Sequence, residues 1–224
     1  MPTGRFAEVR RTLKHIYLHG FASGPASTKA RSLAQGFAGA GRELNIPDLA
    51  ARNFEHLTVS GQLAVVDRAA DGEPAVLIGS SMGGYLAALF AARHPEVDRL
   101  VLMAPAFGFA RRWPASLGKA VTEEWRRTGW LKTYYYGEKR LRRLSYGLLE
   151  DSARYEDYPN FRQPALIFHR SRDETVPFRH SEEFAANHPN ARLVVFDSGH
   201  ELTDVIGPIW EDSRDFLFTP PSGR

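Results

Sequence analysis

Cysteine is absent from the sequence. That removes a disulfide framework, thiolate zinc sites, iron–sulfur clusters and a cysteine nucleophile together. No H-E-x-x-H, G-x-G-x-x-G or P-loop pattern occurs either, so the reading expects no metal and no cofactor. Charge of one sign is scarce: 29 basic against 26 acidic residues leave a formal +3, too mild to argue for nucleic acid. The basic side chains are 24 arginines against 5 lysines, which reflects composition more than recognition. Long apolar runs are also lacking. The uncharged stretch Ala75 to Ala92 is broken by Gly79-Ser80-Ser81-Met82-Gly83-Gly84, so it reads as a strand and a helix and no membrane span is expected. Met1 to Lys14 carries Arg5, Arg10 and Arg11 with no apolar core, so no secretory leader and a cytoplasmic location are expected.

What remains is an ordinary globular composition: 224 residues, 43% hydrophobic and 25% charged, enough for one domain, 1–224, with a full core. Short apolar runs alternate with helical patterns. Strands are expected at 13–18, 43–46, 75–78, 99–104, 165–169 and 192–196. Helices are expected at 27–39, 58–70, 82–93, 178–187 and 201–217. Strands apolar throughout, alternating with helices, predict a three-layer α/β/α sandwich around a mainly parallel sheet of about six strands. Residues 107–161 break the alternation. They hold Trp113, Trp125, Trp130 and Tyr134-Tyr135-Tyr136, and the stretch from Arg111 to Arg143 nets +7, leaving −4 for the rest of the chain. Such asymmetry predicts an inserted cap, partly helical, with a hairpin around Tyr134 to Tyr146.

Gly79-Ser80-Ser81-Met82-Gly83 matches G-x-S-x-G between a strand and a helix, the setting in which that motif presents a nucleophilic serine. The glycines allow close approach of neighbouring backbone, and the Met82 N–H at the helix start faces developing negative charge. A serine hydroxyl needs a base. His200, in the loop Asp197-Ser198-Gly199-His200 after the last strand, is placed best, with His169 as a rival. Asp173, in the loop after the strand 165–169, gives the order Ser81, Asp173, His200 and orients the base; Glu174, Asp157 and Asp204 remain alternatives. The second oxyanion donor is expected from the loop after the first strand, with Phe21 N–H beside Met82 N–H. His19 in that loop reads as a structural hydrogen-bonder. Phe21, Trp113 and Tyr135 are candidate pocket residues. Trp113, Trp125 and Trp130 otherwise anchor the cap, and most of its arginines read as solvated, although some suit an anionic leaving group.

The run Ile16-Tyr17-Leu18-His19-Gly20-Phe21 with Ser23, Pro25, Ser27, Lys29 and Ala30 is shared with a known family. So are Gly79 to Gly84, Asp173 before Val176-Pro177, and Gly199-His200. On these residues the chain resembles the serine-hydrolase branch of the α/β-hydrolase fold, and in particular the small bacterial esterases called the YqiA type. The resemblance implies a cofactor-free carboxylesterase or thioesterase that works through an acyl-enzyme on a small-molecule ester or thioester of a small to medium acyl group. Two departures stand out. Only about a dozen residues precede the first strand, so the two antiparallel strands that open larger members are expected to be missing. The Trp- and Arg-rich cap matches no family motif. The same triad also serves amide, peptide or C–C cleavage, and a non-catalytic ligand-binding protein on the same fold is the reading from another class. Oligomeric state is not encoded legibly.

Overall fold

A computed structural model describes residues 13–197 and 202–219. The chain opens with β1 (Lys14–Leu18) and α1 (Thr28–Gly39), whose first turn is capped by Ser27 Oγ accepting from Ala30 N–H at 3.3 Å. Then come α2 (Val59–Ala70), capped by Thr58 in the same way, β2 (Ala75–Ser80), α3 (Met82–Ala91) and β3 (Val97–Met103). All ten residues of α3 are buried, as a helix apolar on every side must be. Between β3 and the next sheet strand lies an insertion made of α4 (Phe109–Leu117), α5 (Lys119–Thr128), a hairpin β4 (Trp130–Tyr135) and β5 (Arg140–Ser145), and α6 (Gly147–Ser152). The chain closes with β6 (Ala165–Arg170), α7 (Arg179–Asn187), β7 (Ala191–Phe196) and α8 (Ile206–Phe218).

The main sheet has the order β1-β2-β3-β6-β7, and every pairing is parallel. The two-residue strand period sorts its side chains into two cores. Ile16, Leu18, Leu77, Leu100, Leu102 and Ile167 face α2, α3 and the insertion. Tyr17, Val76, Ile78, Val101, Met103, Leu166 and Phe168 face α1 and α8. This is the α/β sandwich expected from the alternation, with three corrections. The sheet has five strands among the described residues, not six: the run 43–46 contributes only a bridge at Asn45, which donates to His15 O at 2.9 Å and accepts from Tyr17 N–H at 2.8 Å. Pro47, with no N–H to offer, follows at once and stops the pairing. The hairpin starts at Trp130 rather than Tyr134 and turns at Lys139, whose φ is +55°. The last helix begins at Ile206, preceded by turns at 202–205. No helix among the described residues is long and apolar enough to cross a membrane.

The insertion has its own apolar centre. Trp125 is almost fully buried, donates its indole N–H to Leu144 O at 3.0 Å, and meets Trp113 and Tyr146 edge-on. It is tied to the sheet half through Asp151, which accepts from both the N–H and the hydroxyl of Ser60 at 2.7 and 2.6 Å, in the first turn of α2. Glu55 adds ion pairs to Arg142 and Arg143 at 3.4 and 3.5 Å.

Candidate active site

Ser81 sits at the junction of β2 and α3 with φ 54° and ψ −117°. Such a conformation costs a non-glycine residue roughly 1–3 kcal/mol and persists only where its surroundings hold it. They do: Ser81 N–H donates to Met103 O at 2.8 Å, and Ser81 O accepts from Ala106 N–H at 3.0 Å. The glycines on each side are required by space. A Cβ on Gly83 would lie 2.0 Å from Leu18 O, and one on Gly79 would lie 2.3 Å from Gly83 O. Ser81 is half-exposed, and its hydroxyl has no partner among the described residues.

The loop after β1 stands against this turn. A Cβ position on Gly20 falls 3.6 Å from Ser81 Cβ, so the backbone of that loop passes directly beside the serine. His19 anchors it. Its Nδ1 lies 3.0 Å from Gly20 O, and its Nε2 accepts from Leu49 N–H at 3.2 Å, which assigns the proton to Nδ1. Burial, the largest influence, pushes His19 below the usual histidine range against the opposing Gly20 bond. The expectation of a structural hydrogen-bonder describes these contacts. The Phe21 and Met82 N–H groups have no acceptor among the described residues.

A cavity of about 290 Å³ opens over these atoms, lined by Phe21, Ser81, Met82, Ala106, Phe109, Arg112, Trp113, Ser116 and Glu174 to Val176. A larger hollow of about 370 Å³ lies on the outside of α4 and α5 around Pro114, Lys119 and Arg126. It contains none of the candidate reactive groups, so the smaller cavity is the chemically relevant one. Phe21 and Trp113 therefore reach the serine's cavity, their rings 4.8 Å apart. Tyr135, expected there, does not line it: it stacks on Phe54 at 4.2 Å with an 8° tilt, and Phe54 in turn contacts Phe21. Its role is to seat the hairpin. The adjacent Tyr136 N–H donates to Ala22 O at 2.8 Å, so the insertion is bonded to the same loop that carries Phe21.

Asp173 lies in the loop after β6 with its side chain 6% exposed. Its Oδ1 accepts from Thr175 and Val176 N–H at 2.9 and 2.8 Å, and its Oδ2 is 3.4 Å from His169 Nε2. Burial raises its pKa, but these hydrogen bonds outweigh it and hold the carboxyl below the usual range. Glu174 is exposed at the cavity rim. The other acid alternatives are engaged elsewhere, Asp157 with Arg111 and Asp204 with Arg170. His169 is fully buried; its Nε2 donates to Val176 O at 2.9 Å and its Nδ1 lies 2.7 Å from Ser181 Oγ. With both ring nitrogens committed, it is a brace for the Asp173 loop. His200 lies outside the described residues. Among the described residues no group of three His, Asp or Glu side chains is arranged to hold a metal.

Sequence reasoning missed the His169 brace and the place of Arg112 on the cavity wall. The first shows in sequence only as a histidine ending a strand, the second as one of ten basic residues in a basic stretch.

The parallel sheet covered by helices, with Ser81 at the turn from β2 to α3, defines the α/β-hydrolase class of architecture. Residues 14–213 match the family described as "Uncharacterised protein family (UPF0227)", and the chain belongs to that family. Among solved structures, it is similar to α/beta hydrolase domain-containing protein 10 from mouse (21% identity, 91% of this chain and 89% of that one, TM-score 0.75). It is also similar to Est1E from Butyrivibrio proteoclasticus with ferulic acid bound (21%, 92% and 89%, TM-score 0.66). A third likeness is to a structure of the metagenome-derived lipolytic enzymes LipS and LipT (21%, 92% and 93%, TM-score 0.67). At these identities the likeness is one of fold. A search of curated proteins gives no match.

Proposed function

We propose that the protein is a serine hydrolase that cleaves carboxylic esters or thioesters of small to medium acyl groups through an acyl-enzyme on Ser81. The observation that carries this reading is the strained Ser81 turn, packed against the Gly20 backbone under a cavity that includes Phe21 and Met82. Strain of this kind at an exposed hydroxyl serves reactivity rather than stability. Esterase and lipolytic relatives of the same fold support the choice of an ester bond.

In the proposed cycle His200 takes the Ser81 proton as Oγ attacks the carbonyl carbon, and the oxyanion is held by the Phe21 and Met82 N–H groups. His200 returns the proton to the leaving alcohol or thiol as that bond breaks. It then deprotonates water, which attacks the acyl-enzyme carbonyl; as the acyl–Oγ bond breaks, His200 returns that proton to Ser81 Oγ and the acid leaves. Asp173 orients the imidazole and stabilises its charge. The insertion acts as a cap within one domain, and Trp113 and Phe21 supply the apolar wall for the acyl group. A cavity of about 290 Å³ suits short to medium chains.

The test is steady-state hydrolysis of aryl esters and thioesters of graded chain length. Ser81→Ala and His200→Ala each lower kcat by about 10⁴-fold or more with melting temperature retained, and Asp173→Asn lowers it by about 10²-fold or more. Ester turnover by Ser81→Ala at the wild-type rate overturns the reading.

A further inference from the structure

The hydrolase reading leaves one half-buried charged group on the cavity wall without a counter-ion among the described residues. Arg112, from α4, lines the cavity with Ser81, Phe21 and Trp113. Its one hydrogen bond among the described residues runs from Nη1 to Thr175 O. Its Nε is buried with no acceptor among the described residues. Burial is the main influence on it and lowers its pKa, Asp173 opposing that from further off, yet a guanidinium stays charged in any accessible range. Its neighbours in the basic stretch differ. Arg111 is paired with Asp157, Arg127 with Glu124, and Arg142 with Glu138 and Glu55. Arg112 has no carboxylate within ion-pair distance among the described residues, while Glu174, on the same cavity, is exposed to solvent.

A half-desolvated guanidinium short of acceptors gains most from an anion brought in with the substrate, because charge-assisted hydrogen bonds strengthen where water is excluded. We propose that Arg112 is the specificity-determining residue of this site, and that the preferred substrate is an ester or thioester carrying a carboxylate or phosphate close to the scissile carbonyl. This rests on the hydrolase reading for the reaction, but not for the binding. The cavity's small volume keeps the anion within a few bonds of the carbonyl. Phe21 and Trp113 take the carbon chain between the two polar ends.

The experiment compares length-matched pairs of aryl esters, corrected for spontaneous hydrolysis. A hydrogen glutarate ester is set against a pentanoate, which places the anion on the acyl side. A carboxylate-bearing phenyl pentanoate is set against phenyl pentanoate, which places it on the alcohol side. The wild type prefers the anionic member of at least one pair, and that pair names the side. In Arg112→Gln the anionic-to-neutral ratio of kcat/KM falls about tenfold or more, and Arg112→Lys restores part of it. A wild-type preference for the neutral member of both pairs, or a ratio unchanged in Arg112→Gln, overturns the proposal and makes Arg112 a brace for the Thr175 loop. Glutarate titration by calorimetry reads the site without turnover: saturable binding weakened about tenfold or more in Arg112→Gln supports it, and equal or absent binding in both proteins contradicts it. If none of the four esters is cleaved while glutarate binds through Arg112, the hydrolase reading fails and the anion site stands.

Discussion

Two walls enclose the cavity, and they are built differently. The sheet wall is backbone packed on backbone: Gly79, Gly83 and Gly84 bring β2 and α3 so close that a single methyl group meets Leu18 O or Pro105 within 2.0 to 3.1 Å. The insertion side is side chain packed on side chain: Trp113, which lines the cavity, is backed by Trp125 and Tyr146, while behind it Tyr135 stacks on Phe54, Phe21 links the two groups, and arginine–glutamate pairs form the margin. Backbone packing fixes a reactive atom to a fraction of an ångström and tolerates no substitution. Ring packing fixes a surface loosely and tolerates exchange. The difference sets a rigid seat for Ser81 beneath a roof of interlocking side chains.

The contrast is broken most directly at Gly83. Gly83→Ala drives a Cβ into the Leu18 carbonyl, and we expect a loss of more than about 4 kcal/mol or failure to accumulate folded protein, read by denaturant unfolding. A stable Gly83→Ala protein would mean that the turn at Ser81 is far softer than the 2.0 Å approach to Leu18 O implies. On the other wall, Tyr135→Ala removes the ring stacked on Phe54. The expected cost is about 3 kcal/mol, with kcat lowered several-fold and KM changed less, because the hairpin is bonded to the loop bearing Phe21. A change in KM alone would detach the hairpin from the loop that carries Phe21.

Acid bears on the sheet half, where His15 lies in β1, His19 just after it and His180 on α7. Burial, the leading influence in each case, holds His15, His19 and His180 below the ordinary histidine value of 6.5 in the folded chain. As pH falls through about 6.5 the unfolded chain takes up protons that the folded chain resists, so stability is full above that value and declines below it. Asp173, also depressed, keeps its contribution until pH falls below the usual carboxylate range. Melting temperature is expected to fall steadily from pH 7 to pH 5, and a flat profile would deny these histidines their buried neutral state. The smallest effect belongs to the insertion's margin. Arg143 lies over Trp130 at 4.7 Å and is half-exposed, so Arg143→Gln costs under about 1 kcal/mol by thermal melts.

Legibility in sequence follows the same division. The strand–turn–helix around Ser81 was readable because short-range chemistry dictates it: an uncharged strand, glycines at fixed offsets and an alanine-rich helix. The parallel sheet was readable from alternation, apart from 43–46, where Pro47 cuts a strand-like run down to one bridge. In the insertion the residue types were visible and their partners were not. Nothing local distinguishes Arg112, which lines the cavity, from Arg111, which pairs with Asp157, because their difference is one of helix facing toward Thr175, 63 positions away. Aromatic character alone suggests Tyr135 for the pocket, and the stack on Phe54 that removes it depends on a hairpin register that starts at Trp130, which local sequence does not mark.

The most direct test is mass spectrometry of the folded protein after brief exposure to a fluorophosphonate. The account predicts a single phosphonyl adduct on the peptide containing Ser81, absent in Ser81→Ala and suppressed in His200→Ala. An unmodified Ser81 in wild-type protein, or an adduct confined to another serine, would contradict it.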